Sequence, residues 1–193
     1  MNETTSKLSK VLSGHVYDLV KQALSETSGN YFEIGVFNGV GFAQIASEFL
    51  DRQCYAVDPF IEDGHTVDSS KVNTGNKMTA QQASAFAHIE GLKNAEIAVM
   101  TSHVYKDKLT DDQIESMNVS VVVIDGNHHY DFVVNDYQLA IQLIGNKEGC
   151  VIFDDTDKQD VNRALLEFVD LYENRIIGES DHGSGILIKL KAV

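Results

Sequence analysis

The hydrophobic pattern of this 193-residue chain changes period repeatedly along its length. From about residue 8 to 24, Leu8, Val11, Leu12, Val16, Leu19, Val20, Ala23 and Leu24 recur at helical spacing, with Gly14 a candidate break. Short apolar runs then follow at 31–36, 53–58, 95–100, 119–125 and 149–154, and each reads as a strand. Helical stripes lie between them. Phe42, Ile45, Ala46, Phe49 and Leu50 share one face, as do Val133, Tyr137, Ala140, Ile141 and Ile144. Val161, Ala164, Leu165, Phe168, Val169 and Tyr172 form a third stripe. Val121 to Ile124 is apolar on both faces, as a central parallel strand must be. This alternation predicts an α/β fold with a doubly wound parallel sheet. Two runs near the end, 174–180 and 185–191, are separated only by a polar turn and predict a closing antiparallel hairpin. A single domain over 1–193 is expected, with an N-terminal helical segment at about 5–27. Residues 60–79 are polar and aperiodic; a segment of this kind is either a lid over a ligand or a surface excursion.

Composition narrows the partners more than the fold. Hydrophobic residues make up 43% and charged residues 23%, ordinary for a globular protein. The net charge of −14 argues against nucleic acid and against an anionic membrane surface. No apolar run approaches the roughly 20 residues of a membrane span. The first ten residues, MNETTSKLSK, lack the apolar stretch of a signal peptide, and a cytoplasmic location is expected. Cys54 and Cys150 open apolar runs and read as small buried hydrophobes in a reduced compartment. The expected partner is a small molecule; the oligomeric state is not legible.

The candidate chemistry lies at the carboxyl ends of the strands, where ligands bind in open parallel sheets. The first strand brings Glu33 and a turn with Gly35, Gly39 and Gly41. The second ends at Asp58, the fourth at Asp125, and the fifth at Asp154 and Asp155. Aspartates there also cap the helices that follow strands. The glycine spacing, G-x-x-x-G-x-G, fits poorly to the G-x-G-x-x-G turn that takes a pyrophosphate. Asp58, at the end of the next strand, can accept both hydroxyls of a ribose. A ligand with a ribose and no phosphate suits this turn.

EIGVFNGVGF followed by CYAVDPF resembles the first two motifs of class I S-adenosylmethionine-dependent methyltransferases. VVVIDGNHHYDFVVNDYQLAIQLI and GCVIFDDTDKQDVNRALLEFV are similar to the family of macrolide sugar and rhamnosyl O-methyltransferases. The resemblance spans about 31 to 173. It implies a Rossmann-like sheet of seven strands with the last antiparallel. It also implies that Gly35, Gly39 and Gly41 clamp the amino-acid end of S-adenosylmethionine. Glu33 would support that turn or the cofactor's ammonium through water, Asp58 would hold the ribose, and Ser102 would lie near the adenine. Thr101 stands where the family often has an acid, and Asn127 replaces another.

Asp125, Asp154 and Asp155 are carboxylates expected at adjacent strand ends. Like charges that close call for protonation or a bridging cation, and magnesium suits a few carboxylates with water and substrate. Relatives use this trio for magnesium. Adjacent strand residues point to opposite faces, so Asp155 or Thr156 alternatively starts the next helix. His128 matches the family histidine and is the candidate general base; His129 has no counterpart, His65 is a lid candidate, and His103 and His182 are unassigned. The expected activity is metal-assisted methyl transfer to a hydroxyl of a sugar or catechol-like diol, with Asp125 and His128 at the chemistry. The alternatives are an NAD(P)-dependent oxidoreductase and a non-catalytic S-adenosylmethionine-binding module.

Overall fold

The structure, a computed structural model, describes residues 16–61, 78–172, 175–179 and 185–190. Helix α1 (Val16–Glu26) leads into strand β1 (Asn30–Ile34), followed by α2 (Val40–Glu48), β2 (Cys54–Val57), α3 (Ala80–Ile89) and β3 (Ala95–Ala98). Two short helices, α4 (Ser102–Lys108) and α5 (Asp111–Met117), precede β4 (Val119–Ile124) and the long helix α6 (Tyr130–Ile144). Strand β5 (Gly149–Phe153), helix α7 (Gln159–Tyr172), β6 (Arg175–Glu179) and β7 (Ile186–Leu190) complete the order. The part of the expected N-terminal helical segment before Val16, and residues 62–77 of the expected lid, lie outside the described residues.

Among the described residues the strands form one seven-stranded sheet in the order β3-β2-β1-β4-β5-β7-β6. β1 to β5 pair in parallel, and β7 runs antiparallel to both β5 and β6. The α/β class, the doubly wound order and the antiparallel last strand are those expected. The direction of winding reverses between β1 and β4, which opens a crevice at their carboxyl ends.

Strand pleating sorts the core into two layers. Phe32, Ile34, Val122 and Ile124 face α6 and α7, packing with Val133, Leu139, Leu143, Val161 and Phe168. Tyr31, Val121 and Val123 face the other way, toward α1 and α2, with Leu19, Val20, Phe42 and Ile45. Each such side chain contributes about 1.5–3 kcal/mol when fully buried. Glu33 falls in the pleat between Ile34 and Phe32 and so shares the face of Tyr31, beneath α1. Cys54 and Cys150 are both free and buried, as small hydrophobes. Among the described residues no helix is long and apolar enough to cross a membrane.

Hydrophobic periodicity does not single out α3, α4 or α5. α3 buries only Ala85, α4 buries no residue, and α5 buries only Met117. Their termini are specified by side chains instead. Thr79, Thr101 and Thr110 each accept a backbone N–H at a helix start, and Thr110 forms a reciprocal capping box with Gln113.

Candidate active site

Main-chain hydrogen bonds align the strand ends side by side. Gly35 N–H donates to Val57, Asp125 N–H to Ile34, Asp58 N–H to Ala98 and Asp154 N–H to Ile124. Asp58, Gly35, Asp125 and Asp154 therefore form a row along one edge of the sheet, across the point where its winding reverses.

The glycine turn is packed by the protein's own atoms. Gly35 has φ +91°, and a Cβ there would collide with the Asp125 carbonyl. Gly39 has φ +80° and lies against Ala85 of α3. A side chain on Gly41 would overlap the ring of Tyr17 from α1. The clamp on a cofactor expected of these three glycines is thus, in the first place, a device for bringing β1, α2 and α3 close to their neighbours. Their missing Cβ atoms do not by themselves speak for a ligand. Phe37, in the same turn, has φ 51° and exposes its ring, with Val40 exposed beside it.

Glu33 is 1% exposed. Tyr17 donates to Oε1 at 3.2 Å and Tyr31 to Oε2 at 2.6 Å. Burial pushes its carboxyl up to about 7 against the pull of the two phenols. Tyr17 was not legible as a site residue. Its spacing marks it only as a neighbour of the buried helix face, and nothing in the sequence links it to Glu33, 16 residues away.

Asp58 spends its carboxylate on the chain itself. Oδ2 accepts from Val36 N–H at 2.7 Å and Phe37 N–H at 3.1 Å, and Oδ1 accepts from Phe60 N–H at 2.6 Å. Burial raises its pKa, while these three bonds lower it. A carboxylate has about four lone-pair sites, so one remains for a ribose hydroxyl. Asp58 holds the glycine turn in either case.

The predicted metal trio is regrouped. One ligand atom from each of Asp125, His128 and Asp155 lies within 4.8 Å of the others; Asp154 is not in that group. Asp154 instead receives Asp155 N–H on Oδ1 at 2.8 Å. His128 Nε2 stands 2.9 Å from Asp155 Oδ2. Asp155 has φ 51°, a conformation uncommon outside glycine that costs on the order of 1–3 kcal/mol and clusters at functional sites. Asp125 is pushed up to about 9, first by burial and then by Asp154, Glu33, Asp155 and Asp58. An edge so crowded with acids suits positive charge, whether a divalent ion or the ammonium and sulfonium of S-adenosylmethionine. By donor chemistry, two carboxylates and an imidazole fit a first-row divalent ion such as manganese as well as they fit magnesium.

His128 sits just before α6, and the start of that helix is braced on α7. Tyr130 donates its hydroxyl to Glu167, which also accepts from Tyr137 at 3.1 Å. The Arg163 guanidinium lies 4.0 Å above the Tyr130 ring. His129 is the residue before α6 and makes no side-chain cap. Ser102 opens α4, where Thr101 supplies the cap. Its hydroxyl faces α6, accepting from Asn135 at 3.2 Å. Asp136, next to Asn135, is 2% exposed, and burial pushes its carboxyl up to about 7. His103, unassigned from sequence, packs edge-on against Phe132 with ring centroids 5.3 Å apart. His65 and His182 lie outside the described residues.

These buried acids set the pH dependence of the ligand-free protein. Glu33 and Asp136 hold protons more tightly when folded, at about 7, than their ordinary values of 4.5 and 3.8. Their contribution is fully present below the unfolded values and is lost as pH rises through the folded ones. The melting temperature in chelator should therefore be higher at pH 5 than at pH 8. At about 2–4 °C per kcal/mol for a chain of this size, the trend is measurable by scanning fluorimetry. A melting temperature that rises steadily from pH 5 to pH 8 would contradict this account of the buried acids.

A family model described as a methyltransferase domain matches residues 32–156, from β1 to the strand end that carries Asp154 and Asp155. No curated protein matches the sequence. Several solved structures share the fold. CalS11, a TDP-rhamnose 3'-O-methyltransferase of calicheamicin biosynthesis, superposes with a TM-score of 0.59 at 14% identity, over 97% of this chain and 93% of that one. The O-methyltransferase NovP gives 0.52 at 14% identity, over 97% and 79%. The bifunctional kinase-methyltransferase WbdD gives 0.52 at 16% identity, over 99% of this chain and 39% of its own. At such identities the likeness establishes the fold, and the family match sets aside the oxidoreductase alternative.

Proposed function

Since the chain belongs to the S-adenosylmethionine-dependent methyltransferase family matched over residues 32–156, we propose that it is an O-methyltransferase acting, with a divalent cation, on a hydroxyl of a small sugar or diol. The observation that carries this reading is the convergence of Asp125, His128 and Asp155 at the sheet edge beside the glycine turn. CalS11 and NovP, named above, are both O-methyltransferases, which agrees with it.

Bound S-adenosylmethionine supplies a methyl group already activated by its sulfonium. A divalent cation held by the Asp125, His128 and Asp155 group would make a neighbouring hydroxyl more acidic. The chain's own residues have three tasks. Asp58 holds the glycine turn through Val36, Phe37 and Phe60 and offers its remaining lone pair to the ribose. Glu33, fixed by Tyr17 and Tyr31, would support the turn or the ammonium of the amino-acid end. His128, held by Asp155 through Nε2, has Nδ1 left to take the hydroxyl proton. If Nε2 instead ligates the cation, Nδ1 keeps its proton and His128 serves as ligand rather than base.

The test is transfer of labelled methyl from S-adenosylmethionine to a panel of nucleotide sugars and catechols, with EDTA and with magnesium or manganese restored. Chelation is expected to abolish transfer while leaving S-adenosylhomocysteine binding largely intact. Manganese titrated into the Asp125→Ala variant should bind much more weakly than to wild type. Full-speed transfer in excess EDTA would make the aspartates structural and remove the cation from the reading.

A further inference from the structure

We propose that Asp136 is a positioning residue of the cofactor site, tying the loop after β3 at Ser102 to the loop after β4 at Gly126. The inference rests on the S-adenosylmethionine reading above and adds a residue that the strand-end acids do not include. Asp136 and Asn135 lie within α6, 2% and 5% exposed, on a helix that otherwise buries Val133, Tyr137, Leu139, Ala140, Leu143 and Ile144. Packing a helix on a sheet needs no acid, and a buried carboxylate is costly unless its hydrogen bonds are made. Here the pair makes them together: Asn135 Nδ2 donates to Asp136 Oδ1 and, across to α4, to Ser102 Oγ, both at 3.2 Å, so Asp136 fixes the amide that holds Ser102. On its other side Asp136 reaches the second loop. A Cβ added to Gly126 would stand 3.1 Å from Asp136 Oδ2, so the carboxylate lies directly against that backbone.

Asn135 Oδ1 is buried with no partner among the described residues. The opposite amide orientation would turn that oxygen toward the Asp136 carboxylate and lose both donated bonds. The pair therefore keeps its donors committed and leaves one acceptor unmade, a sign that its purpose is the geometry of the two loops rather than the stability of the helix. Gly126 follows Asp125 directly, and Ser102 opens α4. Fixing one against the other holds the start of α4 in place relative to the loop that follows Asp125.

The experiment compares wild type with Asp136→Asn by calorimetric titration of S-adenosylhomocysteine, well below either melting temperature, and by hydrogen exchange without ligand. Asp136→Asn is expected to weaken binding about tenfold and to speed exchange at both 102–104 and 125–128, with protection in α7 unchanged. Ser102→Ala should speed exchange at 125–128, across the gap, and the double variant should bind no more weakly than Asp136→Asn alone. If Asp136→Asn does not fold, the cross-gap effect of Ser102→Ala decides the matter. Wild-type affinity in Asp136→Asn, or exchange at 125–128 untouched by Ser102→Ala, overturns the proposal. A wild-type protein that does not bind S-adenosylhomocysteine at all overturns the cofactor reading and this proposal with it.

Discussion

Methyl transfer by the His128→Ala variant is expected to fall roughly 10²–10⁴-fold below wild type, the usual span for loss of a general base, with S-adenosylhomocysteine binding unchanged. The imidazole is held 2.9 Å from Asp155, on a loop braced by Tyr130 against Glu167 and Arg163. Removing it leaves that brace in place, so the fold should survive. The pH and metal dependence then separate its two roles. If His128 is the base, manganese binds the variant as it binds wild type, and the rate recovers in part at high pH, where the hydroxyl ionises unaided. If His128 is a ligand, manganese affinity falls together with the rate, and added metal restores activity. A variant that works within threefold of wild type would remove His128 from the chemistry altogether.

The Asp58→Ala variant is expected to lose both stability and cofactor binding. Read from sequence alone, Asp58 is a ribose acceptor whose removal spares the fold. The structure changes that expectation, because Val36, Phe37 and Phe60 all donate to this carboxylate. Unsatisfied buried donors cost about 1–3 kcal/mol each. Phe37 is exposed and can turn to water, so the two remaining donors put the loss at roughly 2–6 kcal/mol. The melting temperature should drop by about 4–24 °C. The rise on adding S-adenosylhomocysteine, worth about 2.7 kcal/mol at a hundredfold excess over Kd, should disappear. Asp58→Asn keeps an acceptor oxygen and should fall between the two. Wild-type melting in Asp58→Ala, with the ligand-induced rise intact, would show that the turn is held by something else.

Both variants touch an edge where carboxylates outnumber their charge partners. Glu33, Asp58, Asp154 and Asp155 all add to the burial that raises the pKa of Asp125. The arrangement sacrifices stability of the empty protein near neutral pH. A ligand that carries positive charge would relieve the repulsion that folding imposed.

The sequence by itself determined the elements and the order in which they alternate. Continuous apolar runs such as residues 121–124 and period-3.6 stripes such as Val133, Tyr137 and Ile144 are local properties, set by which sides of a strand or helix must leave water. The motifs around Gly35–Gly41 and Asp125–His128 were legible for the same reason: they are contiguous. α3, α4 and α5 were not, because they bury almost nothing and are specified by threonine caps rather than by a stripe. Only the tertiary structure decided which separated side chains meet. It joined Tyr17 to Glu33, turned Asp58 back onto the glycine turn, and grouped His128 with Asp125 and Asp155 as candidate cation ligands, with Asp154 outside that group. Asp154 and Asp155 adjoin in sequence, yet their side chains have different partners: Asp154 accepts the Asp155 N–H, and Asp155 meets His128. Which partner each carboxylate meets depends on bringing together the end of β5 and the loop before α6, which lie far apart along the chain and meet only in the folded sheet.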